Sequence, residues 1–129
     1  MAHATCPFCT PETREIVLEN YQAYARYDKY PVSPGHLLII TKRHISSVFD
    51  ATGRELTALW DLLNNAKNHL DERFSPDGYN IGINDGESAG QTISHLHIHL
   101  IPRYTGDMPD PRGGVRGVIP DKQKYEPGF

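Results

Sequence analysis

The sequence predicts an α+β fold: a mostly antiparallel sheet of about five strands with one main helix on a face. Three observations carry this expectation. Residues 52–55, Thr-Gly-Arg-Glu, have capping-box form, and Leu56, Leu59, Trp60, Leu63, Ala66 and Leu70 follow at helical spacing. Residues 36–41, His-Leu-Leu-Ile-Ile-Thr, make a continuous apolar run of strand length, the signature of a strand covered on both faces. Residues 94–101, Ser-His-Leu-His-Ile-His-Leu-Ile, alternate with the strand period of two.

Taken in order, residues 15–19 and 21–27 read as two short strands with Asn20 at the turn between them. Residues 31–35 break the pattern before the apolar run. Lys42-Arg43-His44-Ile45 then leads through a loop into the helix, whose Trp60 is expected in the core. Ser75-Pro76-Asp77-Gly78 stops the helix. Residues 79–84 alternate as a further strand, 85–90 form a Gly-containing loop, and the histidine strand follows. The coarse order is β-β-β-α-β-β, a meander. From Pro102 the chain is rich in Pro and Gly. It reads as an extended tail that packs on something, such as a partner subunit, or is partly disordered. One domain is expected over residues 1–129, with its core at 6–103 and the tail at 104–129.

With 13 Lys and Arg against 16 Asp and Glu, the formal net charge is −3. That balance argues against a nucleic-acid binder relying on a broad basic surface. No apolar run approaches the ~20 residues of a membrane span. Residues 1–10 lack the basic and apolar regions of a secretory signal. A soluble cytoplasmic protein is the expectation. In that setting the pair in Cys6-Pro7-Phe8-Cys9 reads as a metal or redox pair and not as a structural disulfide.

Chemistry concentrates in the histidine strand. Leu96, Ile98 and Leu100 would point into a core, leaving His95, His97 and His99 on the other face. Folding explains the first set and not the second, because a row of imidazoles adds neither good packing nor solubility. Imidazoles supply nucleophilic nitrogen, proton transfer near neutral pH and metal ligation. Just upstream, Gly90-Gln91-Thr92 offers close backbone approach and neutral donors, as for an oxyanion or phosphate under attack. His36 opens the buried strand, either as a core histidine or as a group orienting the catalytic imidazoles. His44, with Cys6, Cys9 and one histidine of the row, would complete a Cys2His2 zinc site. His3 and His69 read as solvated.

These residues resemble the histidine triad (HIT) superfamily. The run from His95 to Ile101 matches its signature, and the likeness extends over residues 6–103, including Asp28, Pro34-Gly35-His36, His44, Asn84 and Gly90-Gln91-Thr92. The resemblance implies a HIT-like fold, joined sheet to sheet in a homodimer. It also implies an enzyme cleaving the α-phosphate bond of purine nucleotides, adenosine favoured, through a nucleotidyl-histidine. His97 would be the nucleophile, His99 would bond the phosphate or leaving oxygen, and His36 would orient the network. Asn84, Gln91 and Thr92 match phosphate-holding positions, and Asp28 the ribose-binding one. A structural zinc would sit on Cys6, Cys9, His44 and His95, with no catalytic metal required. A Fhit-like dinucleoside polyphosphate hydrolase ranks first. A Hint-like phosphoramidase and a non-catalytic nucleotide binder are the alternatives, and phosphate in place of water as acceptor stays open. One departure stands out: Arg26 occupies a place where apolar side chains usually hold the base, which leaves Phe8 as the candidate purine face. Arg112 and Arg116 read as part of a solvated tail, a role near a second phosphate being the alternative.

Overall fold

The computed structural model describes residues 5–126 and 128. Its strands are β1 (Leu18–Glu19), β2 (Ala23–Tyr27), β3 (Leu37–Thr41), β4 (Gly78–Gly82) and β5 (His97–Arg103), with one helix, α1 (Gly53–Phe74), between β3 and β4. They form one sheet in the order β1-β2-β3-β5-β4, and every neighbouring pair is antiparallel. The sheet is therefore not the expected meander. The helix carries the chain across the sheet, so β4 takes the edge and β5 inserts beside β3.

Alternation sorts the strands into two faces. Ala23, Ala25, Leu37, Ile39, Ile98 and Leu100 pack against Leu59, Leu62, Leu63, Ala66 and Leu70 of α1. On the opposite face Tyr24, Leu38 and Ile40 pack with Phe8. All of β3 is buried, as its unbroken apolar run predicts. Gly35, at φ +91°, turns the chain into β3 where an added Cβ would press on Leu70 and Phe74 of the helix.

The capping box of α1 forms as expected: Glu55 N–H donates to Thr52 Oγ1 at 3.1 Å and Thr52 N–H to Glu55 Oε1 at 2.9 Å. The same Glu55 carboxylate, itself buried, receives Arg43 from the loop after β3. Two expectations for the helix fail. Trp60 is 60% exposed and Leu56 is 45% exposed. Each residue turns the helix by about 100°, so Trp60 stands well off a stripe centred on Leu59, Leu63, Ala66 and Leu70.

Other departures are local. Thr13–Glu15 form a 3-10 turn closed by Glu12 and Glu15, which shortens the first strand to Leu18–Glu19. The fourth strand runs over Gly78–Gly82, ending before Asn84. Beyond Arg103 the tail is not extended. It folds into 3-10 turns at Gly114–Val118 and Pro120–Lys122, the first of them lying against β4. Arg116 organises it, donating to the carbonyls of Lys122 and Gln123 and lying over the Tyr125 ring. Arg112 pairs with Asp110. His69 is half-buried and bonded to the Tyr27 hydroxyl, where a solvated side chain was expected; His3 lies outside the described residues. No helix among the described residues is long and apolar enough to cross a membrane.

Replacing Thr52 with Ala removes one half of the capping box and is expected to lower stability by about 1 kcal/mol. Glu55→Ala, which also strands Arg43, is expected to cost more. Urea unfolding of the two variants checks both the size and the order.

Candidate active site

The face of the sheet away from α1 floors a cleft of about 850 Å³. Register places the chemistry there. Ile40 pairs with His97 and Leu38 with His99, so both imidazoles rise from the same face as those apolar residues. The strand itself begins only at His97. His95 N–H turns back to the Ile93 carbonyl, and Leu96 N–H bonds Ile45 O at 2.7 Å in place of β3. That last bond ties the His95 loop to the His44 loop. The three histidines thus divide, two facing the cleft and one facing the cysteines.

Hydrogen bonds set each tautomer. His97 Nδ1 lies 2.7 Å from the His95 carbonyl, which can only accept, so Nδ1 carries the proton and Nε2 keeps its lone pair. A second chain runs the other way. Val32 N–H donates to His36 Nδ1 at 3.1 Å, so the His36 proton sits on Nε2. That proton faces His99 Nδ1 at 2.9 Å, with Asp28 Oδ2 at 3.6 Å. His99 accepts it and carries its own proton on Nε2. The cleft is therefore offered a bare nitrogen by His97 and an N–H donor by His99, on rings whose centroids are 5.1 Å apart.

Both supporting imidazoles are neutral at pH 7. Burial, with the charges of His97 and His36 adding to it, holds His99 down at about 4. Burial also lowers His36, outweighing the opposite pull of Asp28. Phe8 packs edge-on to His97 with centroids 5.1 Å apart, and its backbone carbonyl accepts from the Tyr24 hydroxyl.

Asp28, Asn84, Thr92 and Phe8 all border the cleft, as the sequence suggested. Gln91 is not brought there. Its amide donates to the Ser46 and Ile93 carbonyls and accepts from Gly86 N–H, holding the loop that carries Thr92. One feature escaped sequence reasoning. Gly114, Val115, Gly117 and Val118 of the folded tail wall the β4 side. The apolar positions within a Pro- and Gly-rich stretch were the available signal. Arg26, the departure already marked in the sequence, lines the far end.

Behind the cleft, Cys6, Cys9, His44 and His95 bring one ligand atom each within 4.8 Å of the others. Cys6 Sγ is 3.3 Å from His95 Nδ1, Cys9 Sγ 3.1 Å from His44 Nδ1 and 3.6 Å from His95 Nδ1. Tetrahedral bonds of ~2.3 Å to sulfur and ~2.1 Å to nitrogen would put such atoms about 3.6 Å apart. His95 Nε2–H donates to the Thr41 carbonyl at 2.7 Å, which leaves Nδ1 unprotonated toward the thiols, as a ligating imidazole requires. Burial pushes the Cys6 thiol up, and Cys9 beside it adds to the rise. A cation among the four would reverse that balance. The residues fit a four-coordinate metal.

Comparison with known proteins agrees with this geometry. Residues 10–106 match the HIT domain. A bis(5'-adenosyl)-triphosphatase of Dictyostelium discoideum is 40% identical over 94 residues, 73% of this chain and 63% of the relative. A bis(5'-nucleosyl)-tetraphosphatase (asymmetrical) of Schizosaccharomyces pombe is 41% identical over 78 residues, 60% of this chain and 43% of the relative. The chain thus spans under two thirds of the length of either. A zinc-bound histidine triad family protein of Mycobacterium smegmatis superposes with a TM-score of 0.71 at 30% identity, covering 80% of this chain and 78% of that one.

The depressed His99 gives a pH dependence. An unfolded imidazole titrates near 6.5 and the folded His99 at about 4. Between those values the unfolded chain binds more protons, so stability rises with pH across about 4 to 6.5 and gains nothing from His99 above it. His99→Asn is expected to flatten that window, read as the difference between the urea midpoints of the two proteins against pH.

Proposed function

The chain belongs to the HIT domain family, and we propose that it cleaves dinucleoside polyphosphates at an α-phosphorus through a nucleotidyl-histidine. The pairing of a bare His97 Nε2 with a His99 Nε2–H carries this reading. The lone pair on His97 Nε2 attacks the phosphorus, and the bond from phosphorus to the bridging oxygen breaks. Its electrons leave with the released phosphate chain, whose oxygen accepts a hydrogen bond from the His99 Nε2–H. Water then attacks the same phosphorus and gives up its proton to solvent. The P–N bond breaks and returns its electrons to His97. One hard displacement becomes two easier ones.

The surrounding residues support both steps. The His97 ring gains positive charge as it attacks, and the His95 carbonyl on Nδ1–H stabilises that charge in place. His36, held by Val32 N–H, keeps the His99 donor pointed outward. Asp28 meets the ribose hydroxyls, Asn84 and Thr92 the phosphate oxygens, while Gln91 keeps their loop in place. Phe8 and Leu38 lie under the purine.

Zinc on Cys6, Cys9, His44 and His95 would have four protein ligands and no open position, so its contribution is structural. It would fix the His95 backbone from which the His97 tautomer follows. The protein is further proposed to be a homodimer joined through the edge strand β4, at whose end Ile81 and Ile83 are exposed.

Turnover of diadenosine triphosphate and of an adenosine phosphoramidate, side by side, tests the activity. Faster polyphosphate cleavage that falls by ~10⁴ or more in His97→Ala is the expected result, the scale on which loss of a covalent nucleophile is felt. Faster phosphoramidate cleavage would move the protein to the amidase branch with the same steps. Turnover that survives in His97→Ala would sink the mechanism. Native mass spectrometry is expected to show a two-chain species holding two zinc ions, and Cys9→Ser is expected to lose the metal.

A further inference from the structure

Arg26 is the only arginine or lysine buried among the described residues, 5% exposed, and it lines the cleft. Nothing in the proposed cleavage uses it. A side chain placed there for packing alone would be apolar, as Leu38 on the next strand is. A buried guanidinium must instead be paired to offset its lost hydration, and Glu15 meets its Nη2. Its Cζ lies 5.9 Å from the centroid of the Phe8 ring.

The register says what this charge faces. Arg26 pairs with Leu38, and Leu38 with His99, so the three side chains stand in one row on one face. Neighbouring strands are ~4.8 Å apart, which puts Arg26 roughly 10 Å from the His99 position. A nucleotide with its phosphorus at His97 and His99 and its ribose at Asp28 lays its base over Leu38 and Phe8. The outer edge of that base then meets Arg26. Lys29 borders the same end of the cleft.

We propose that Arg26 reads the outer edge of the base and makes the cleft select 6-oxopurines, guanine or hypoxanthine, over adenine. This deepens, and rests on, the nucleotide reading above. A guanidinium carries five N–H donors and no acceptor. Guanine presents O6 and N7, two acceptors matched to that fork, whereas adenine sets an amino donor beside N7. An adenine in the same slot turns its amino group toward a donor that cannot accept it. An apolar side chain at this position would make no such distinction. The base preference of this chain therefore differs from the adenine that its family resemblance implies.

Calorimetric titration of the intact protein with GMP and with AMP tests the assignment without requiring turnover. GMP is expected to bind at least about tenfold tighter, the effect of one matched bidentate contact. In Arg26→Met combined with Glu15→Gln, which leaves neither charge buried alone, the ratio is expected to fall close to one. Arg26→Lys, which keeps the charge and loses the fork, is expected to retain only part of the preference. Equal or tighter binding of AMP by the unaltered protein overturns the inference, and so does a ratio that the double variant leaves unmoved. Should the double variant not fold, the ratio in the unaltered protein and in Arg26→Lys decides. Equal binding of both nucleotides with His97-dependent turnover intact removes the base selection alone. Failure of either nucleotide to bind removes the nucleotide reading with it.

Discussion

His95 bonds in three directions, and the rest of the site depends on all three. Its Nε2–H is anchored on the Thr41 carbonyl at the end of β3. Its Nδ1 faces the two thiols of the N-terminal loop. Its own carbonyl receives the Nδ1–H of His97. One residue thereby connects the central strand, the metal-type cluster and the tautomer of the proposed nucleophile. Turning its ring away would loosen the cysteine loop, and with it Phe8, whose carbonyl is held by Tyr24. A closed cluster of four metal-ligand side chains a few residues from the proposed nucleophile makes physical sense here, because a rigid backbone at His95 is what holds a lone pair on His97 Nε2.

The second histidine chain has opposite polarity and a different origin. It starts from the backbone N–H of Val32, in the loop before β3, and passes through His36 to His99. Burial keeps both rings neutral, so the chain transmits orientation without net charge. Two adjacent imidazoles of the same strand thus present opposite faces of their acid–base character to one cleft. The difference between them lies wholly in which backbone group each is tied to.

Around this centre the cleft is built asymmetrically. At one end an ion pair, Arg26 with Glu15, is embedded beside Leu38 and Phe8. At the other, the folded tail contributes glycines and valines against β4. The tail arginines are bonded within their own segment, Arg112 to Asp110 and Arg116 to the carbonyls of Lys122 and Gln123, and neither lines that wall. That wall offers backbone and small apolar groups. At the Arg26 end, ligands meet a fixed donor array. Electrostatic discrimination is therefore concentrated at the Arg26 end, since a hydrophobic wall distinguishes ligands chiefly by size.

The sequence by itself determined the periodic features and the reactive inventory. The capping box at Thr52 and Glu55, the buried β3 and the alternation of β5 were legible because each is set by neighbours within a few residues. So was the grouping of Cys6, Cys9, His44 and His95, once the resemblance supplied it. Only the tertiary structure decided what depends on distant partners. Trp60 carries a core-forming side chain, yet the helix turns it outward because Leu59, Leu62, Leu63, Ala66 and Leu70 already cover the sheet. Gln91 belongs to a donor-rich run, yet its amide folds back on the Ser46 carbonyl of another loop and on that of Ile93 in its own. The tail reads as extended until Arg116 is seen to close its turns on the Lys122 and Gln123 carbonyls, and the direction of each imidazole proton follows from carbonyl and amide groups that composition does not reveal. Local order follows from period and propensity; hydrogen-bond polarity and solvent exposure follow from which strand, loop or helix the folded chain brings alongside.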